Sequence, residues 1–268
     1  MLIRVGYDIR FDIDVPVPVV AMLNIHPSRR HDLQEPDLLQ VAPAIETSQY
    51  TDVFGNICTR FVAPAGNLRL TTSTLVADSG QPDPVKPDAA EVPVAELPPE
   101  VLRFLMPSRF CEVDLLSNTA VELFGSVPRG WPRVQAVCDW VHEKVTFSYP
   151  QARPTKTALD VYTERIGVCR DFQHLAITFC RALNIPARYA TGYLGDIGVP
   201  PMPSPMDFSA WFEAFLDGRW WTFDARFNVP RIGRVLIATG LDATDVALTT
   251  SFGRAPLSHF AVTADEVR

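Results

Sequence analysis

Several things are scarce in this 268-residue chain, and each scarcity removes a class of function. Positive charge is short: 24 Lys+Arg stand against 31 Asp+Glu for a formal net charge of −7, with no basic run, which excludes a general nucleic-acid binder. No apolar stretch reaches membrane-spanning length, and the opening residues Met1 to Tyr7 alternate like a strand instead of forming the apolar block of a signal peptide. The five cysteines (Cys58, Cys111, Cys138, Cys169, Cys180) are odd in number and lack metal-ligand spacing, so neither a disulfide framework nor a zinc site is expected. A cytoplasmic protein with no cofactor and no membrane partner is the simplest expectation. Histidine is equally sparse, at His26, His31, His142, His174 and His259. What is plentiful is core: 47% of the residues are hydrophobic and 10% aromatic, enough for one large domain or two modest ones.

The pattern along the chain predicts an α+β protein in three parts. Residues 1–80 read as a small N-terminal β-sandwich, with Ile3, Val5, Tyr7, Ile9 and Phe11 alternating at the period of a half-buried strand. Further strands are expected over 19–25, 58–62 and 68–75. Residues 81–99 carry Pro82, Pro84, Pro87, Pro93, Pro98 and Pro99 and read as an extended linker. Residues 100–268 read as a helical and sheet core with edge strands in the tail. Helices are expected over 100–105, 113–124, 132–145 and 157–164. Strands follow over 187–194, 210–216 and 220–223, the last two joined at Asp217-Gly218, a tight hairpin signal.

The chemistry concentrates at Gly167-Val168-Cys169-Arg170-Asp171-Phe172. A cysteine opens an amphipathic helix whose apolar residues Phe172, Leu175, Ala176, Phe179, Cys180 and Leu183 recur at helical spacing until Pro186. A thiol in a first helical turn meets unpaired N–H groups and the positive end of the dipole, which predicts a thiolate-prone nucleophile. Such a nucleophile needs a base within hydrogen-bond reach and a third group to orient that base.

The stretch from Arg165 to Phe172, then 184–189, Gly192-Tyr193, Ala210-Trp211-Phe212-Glu213-Ala214 and Trp220-Trp221-Thr222-Phe223-Asp224, resembles the transglutaminase-like cysteine enzyme superfamily in order and spacing. The resemblance implies a papain-like core with the cysteine helix packed on an antiparallel sheet. It also implies thiol-dependent amide acyl transfer, as a cysteine peptidase or amidase or as a transglutaminase-type enzyme, on a peptide or protein substrate. Residue by residue, it puts Cys169 at the nucleophile, Asp224 at the orienting acid, and Trp211 and Tyr193 beside the substrate. The chain departs from the family pattern at one position: the histidine that precedes the Ala-Trp pair is Ser209 here. Serine takes no proton near neutral pH, and loss of a positioned base typically costs about 10²–10⁴-fold.

No other histidine is an evident substitute. His174 lies five residues after Cys169, about 500° around the helix and off the cysteine's face. His142 reads as a solvated helix face, His26 and His31 lie in loop, and His259 is in the tail. Asp207, two residues before Ser209, is a carboxylate in the loop 195–206 and its exit, and Asp171 suits a helix first turn whatever the function. Three readings stand: an acyl-transfer enzyme, a catalytically impaired member that binds or scaffolds peptide-like ligands, and an active scaffold whose histidine has been exchanged. No acidic cluster implies calcium.

Overall fold

The computed structural model describes residues 1–202 and 205–267; Pro203 and Ser204 of the proline-rich loop, and Arg268 of the tail, lie outside the described residues. The fold is α+β, with antiparallel sheets dominating and four α-helices among the described residues.

The N-terminal half forms two four-stranded sheets. The first runs β14-β1-β6-β3, from β1 (Leu2–Ile13), β3 (Gln40–Ala42), β6 (Gly66–Ala77) and β14 (Leu257–Val267). The second runs β13-β2-β5-β4, from β2 (Val17–Ala21), β4 (Ser48–Thr51), β5 (Ile57–Ala63) and β13 (Thr249–Ser251). Ile3, Val5, Val19, Phe61 and Leu70 share one buried cluster across the two sheets. The alternation in β1 explains this: odd positions from Ile3 to Ile9 are the most buried ones. The apolar run at 19–25 stops pairing at Ala21, because Asn24 and the backbone of Ile25 turn aside to bond Asp37.

Helices α1 (Val113–Phe124), α2 (Trp131–Lys144), α3 (Ala158–Glu164) and α4 (Cys169–Ala182) follow, with a two-residue parallel pair of β7 (Thr146–Phe147) and β8 (Ile166–Gly167). The expected helix at 100–105 is a single tight 3-10 turn, Leu102–Leu105. The core sheet runs β11-β10-β9-β12, from β9 (Ala187–Leu194), β10 (Ser209–Leu216), β11 (Arg219–Phe223) and β12 (Arg234–Gly240). The β10–β11 hairpin turns at Asp217 and Gly218 with φ of 50° and 75°, the left-handed pair such a turn requires. Helix α4 packs on β9 and β10 and against the other helices.

The tail divides between the two halves. Strand β12 edges the core sheet on β9, whereas β13 pairs with β2 and β14 runs antiparallel along β1 from Val267 to Leu257. The last strands therefore complete the N-terminal sheets and not the core. The proline-rich segment is extended but strapped down. Asp83 accepts from Arg234 Nε and Arg231 N at 2.8 and 2.9 Å, Asp217 exchanges bonds with Ala90, and Glu91 pairs with Arg133.

One side chain couples the halves with particular economy. Buried Asn56 donates from Nδ2 to Thr239 O at 2.8 Å and accepts from Thr239 N at 2.9 Å, so its amide imitates a neighbouring strand on the open edge of β12. Asp52 holds that amide in place by accepting from Asn56 N and Nδ2, both at 2.9 Å. Replacing Asn56 by Ala leaves two backbone groups of Thr239 buried and unpaired. A loss of about 2–4 kcal/mol is expected in urea unfolding; a change under about 0.5 kcal/mol would show that the edge is satisfied some other way.

Candidate active site

Cys169 is the first residue of α4 and is half-buried. Its placement follows from Asp171, whose Oδ2 accepts from Val168 N at 2.9 Å and closes the helix start. Asp171 is fully buried and also meets Arg170 Nε at 3.2 Å. Only glycine fits at 167, since a Cβ there would stand 2.7 Å from Asp171 Cβ.

The expected thiolate bias is not found. Burial pushes the Cys169 thiol up to about 11, with the charges of Asp207 and Asp171 adding to the rise. Arg226 and the Arg170 backbone N–H pull the other way and are outweighed. Asp171, which accepts from Val168 N at the helix start, brings a negative charge of its own close to the sulfur.

Ser209 begins β10, opposite Gly192 of β9, and is buried. Its hydroxyl makes no hydrogen bond among the described residues, while its carbonyl accepts from Thr191 Oγ1 at 3.0 Å. A side chain at 192 would run into Val235 O at 2.1 Å and the Trp211 ring at 3.0 Å, so glycine lets β9 and β12 close behind the site.

Asp224 follows β11 and is buried. Its Oδ1 accepts from Gln173 Nε2, Arg226 N and Phe227 N at 3.1, 2.9 and 3.1 Å, and its Oδ2 from Arg234 Nη2 at 3.0 Å. Gln173 lies one turn beyond Cys169 on the same helix face, and its Nε2 also reaches Ala210 O at 3.2 Å. The helix that starts at Cys169, the residue after Ser209 and Asp224 are thus joined through one amide.

A cavity of about 160 Å³ opens beside this junction, lined by Ser209, Asp207, Asp196, Arg226, Tyr149 and Phe208 among others. Asp207, Arg226 and Tyr149 are all within electrostatic reach of the Cys169 sulfur. Burial raises the Asp207 carboxyl above the usual range, against the pull of Arg226 and the Phe208 N–H. Arg226 and Tyr149 were invisible as site residues in the sequence. The one available signal was the position of Arg226 two residues after Asp224.

The two side chains expected beside the substrate are both buried. Tyr193 is 1% exposed and packs on Phe208 at a ring distance of 5.2 Å, within electrostatic reach of Tyr7 in the N-terminal sheet. Adjacent strand residues face opposite ways, so Tyr193 points away from the side of its neighbour Gly192. Trp211 is 2% exposed, with the Arg234 guanidinium 5.1 Å from its ring centre, and offers no surface to a substrate.

Among the described residues no histidine ring is hydrogen-bonded to the side chain of Cys169, Ser209 or Asp224. His174 is fully buried, stacks on Phe110 at 5.0 Å and accepts at Nε2 from Ala243 N at 3.1 Å. His142 bonds Arg226 O through Nδ1 at 2.7 Å, and His26 bonds Ser28 Oγ at 2.8 Å. His259 lies on β14, opposite Arg10 of β1. Among the described residues, no group of three or more His, Cys, Asp or Glu is placed to hold a metal ion.

Two measurements follow from these surroundings. Alkylation of Cys169 by iodoacetamide, mapped by mass, is expected to reach half its maximal rate near pH 11, and a midpoint below pH 7 would refute the burial argument. Burial also drives His174 down to about 3, below its unfolded value of about 6.5. The unfolded chain therefore takes up a proton first, and the stability gained from a neutral His174 is complete above about pH 6.5 and lost as pH falls towards 3. The urea midpoint should drop across that window, and a His174→Gln variant should show a shallower drop; equal slopes would assign the acid sensitivity elsewhere.

Residues 118–225 match the family model described as the transglutaminase-like superfamily. The solved structure of a candidate cysteine protease from Cytophaga hutchinsonii is 32% identical, with a TM-score of 0.85, over 99% of this chain and 90% of that one. An uncharacterized protein of Mycobacterium leprae is 28% identical over 223 residues, covering 78% of this chain and 77% of its own length. No helix among the described residues is long and apolar enough to cross a membrane. With its cysteine at a helix start, its antiparallel core sheet and these relatives, the chain belongs to the transglutaminase-like superfamily.

Proposed function

We propose that the protein uses the cleft at Cys169 to bind a peptide-like ligand, and that the thiol-dependent amide acyl transfer of its superfamily is dormant in it. The observation that carries this reading is serine at position 209, and burial, which pushes the sulfur up, acts in the same direction. At neutral pH only about one molecule in 10⁴ would then carry the thiolate that attacks an amide carbon. The Ser209 hydroxyl offers no basic nitrogen, and Asp224 already takes hydrogen bonds at both carboxylate oxygens. The partner in this reading is a peptide or protein, with no nucleic acid and no membrane. A cytoplasmic setting agrees with five cysteines that are all free thiols.

In this reading Asp224 is the third element of a triad. Were a ring present at 209, Asp224 would be the carboxylate to orient it, and Cys169 the sulfur to give up its proton. Generic peptide substrates test this directly. The wild type is expected to show no Cys169-dependent hydrolysis, and Ser209→His to gain it by about 10²-fold or more over the wild-type background. Cys169→Ala in the Ser209→His protein should remove the gain. Robust hydrolysis by the wild type, abolished by Cys169→Ala alone, would overturn the dormant reading and make the protein an active amidase.

A further inference from the structure

A groove of about 460 Å³ opens where the N-terminal sheets meet the core. Its walls come from the β4–β5 turn at Phe54, from the end of the proline-rich segment and the turn after it, and from the core sheet at Arg188, Trp220 and Thr239. Tyr189 fixes the side of the sheet: its ring lies 5.2 Å from that of His174 on α4, so its neighbour Arg188 looks away from the cysteine helix. Five lining groups form an unbroken row. The Arg103 guanidinium stands 5.1 Å from the centre of the Phe54 ring, and Phe54 lies 6.2 Å from Phe104. Phe104 meets Trp220 edge-on at 5.1 Å, and the Arg188 guanidinium is 4.4 Å from the Trp220 ring. Phe215 braces Trp220 from the sheet at 5.2 Å, so the aromatic wall is built before any ligand arrives. The two cations that end the row are short of acceptors. Arg188 gives only its Nε to Glu213, and Arg103 donates to no side chain among the described residues. Glu100 is the acid of this lining and is exposed.

We propose that this groove is a second ligand site, for a small aromatic acid whose ring lies against Trp220 and Phe54 and whose carboxylate is taken by Arg103 and Arg188. The inference goes beyond the peptide reading of the Cys169 cleft and needs none of it. Volume, place and lining all fit: sites for small molecules are clefts of a few hundred Å³, often between two structural units, with aromatic walls and a few charged groups. A guanidinium presents its N–H donors in a planar fork that matches a carboxylate. Stacking on a ring uses the flat face of that fork and leaves its edge free, so the contacts of Arg103 with Phe54 and of Arg188 with Trp220 do not compete with holding an anion. A neutral ring would leave those donors to water, and a cationic one would face two guanidinium groups with Glu100 alone to offset them. The site also spans the joint between the halves. A ligand that touches both Phe54 and Trp220 fits only the assembled junction, and it therefore stabilises the folded chain in proportion to its occupancy.

The test is calorimetric titration of the intact protein at pH 7 with indole-3-acetate, indole-3-acetamide, tryptamine and acetate. The first three share one ring and carry a negative, a neutral and a positive arm, and acetate has the charge without the ring. Indole-3-acetate is expected to bind saturably at one site, at least about tenfold more tightly than the acetamide, with tryptamine and acetate weaker still. Arg103→Gln alters a side chain that has no hydrogen-bond partner, so it should leave the unfolding midpoint of the ligand-free protein where it is and cut the indole-3-acetate affinity about tenfold. Trp220→Leu should weaken the acetate and the acetamide alike, and Cys169→Ala should bind both as the wild type does. Equal affinity for the acetamide, or tighter binding of tryptamine, overturns the anion assignment. Acetate binding as tightly as indole-3-acetate overturns the aromatic one. No saturable binding, or binding unchanged by both Arg103→Gln and Trp220→Leu, overturns the site itself. Loss of binding in Cys169→Ala would overturn its independence of the cysteine cleft.

Discussion

A single buried carboxylate sets where everything in the cleft lies. Asp224 takes hydrogen bonds from the amide of Gln173 on α4, from Arg234 of β12, and from two backbone N–H groups of its own turn. Arg234 carries the connection onward to Asp83 in the proline-rich strap. A carboxylate with 2% of its side chain exposed would be costly if left alone, and here four donors offset the desolvation. The consequence is geometric. The height of α4 above the sheet is tied to the end of β11, and with it the position of Cys169 relative to Ser209. A change in any one of these partners leaves a buried charge short of donors, so the strap, the helix and the sheet edge stand or fall together.

That same frame decides the state of the sulfur. A helix start favours an anion by about 0.3–1 kcal/mol, and by about 2 kcal/mol in the best partly buried cases. The rise of the Cys169 thiol from 9.0 to about 11 corresponds to roughly 3 kcal/mol against the thiolate. Burial therefore wins, and the negative charge of Asp171 widens the margin. In this chain the helix terminus and Arg226 together do not offset the burial of the Cys169 sulfur.

Much of this was legible in the sequence because the physics is local. Period-two alternation and the Asp217-Gly218 turn mark β9, β10 and β11 to within a residue, and the apolar spacing after Cys169 marks α4. Strands β3 and β4 left no such trace, being short edge strands with few or no buried residues to impose a period. The tail shows the limit more sharply. Alternation says that 257–267 is a strand but not which sheet it joins, and pairing with β1 is a long-range fact. Tyr193 and Trp211 belong to stretches that match the family, yet which face of a strand looks into the cleft depends on register against neighbours, which no single stretch encodes. Arg226, Tyr149 and Asp196 come from loops and ends of elements, where neither period nor motif singles them out.

Position 209 lies in the wall of the cavity. A side chain that ends at Cβ–OH removes a proton acceptor and, by the same change, leaves its own small share of the cavity wall unfilled beside Asp207 and Arg226. Interiors are packed closely enough that volume left open in a well-ordered sheet is seldom neutral, since its lining loses contacts that a larger group would restore. Here the lining is also polar, with an Asp196 oxygen that has no hydrogen-bond donor among the described residues and that an apolar occupant would leave unsatisfied.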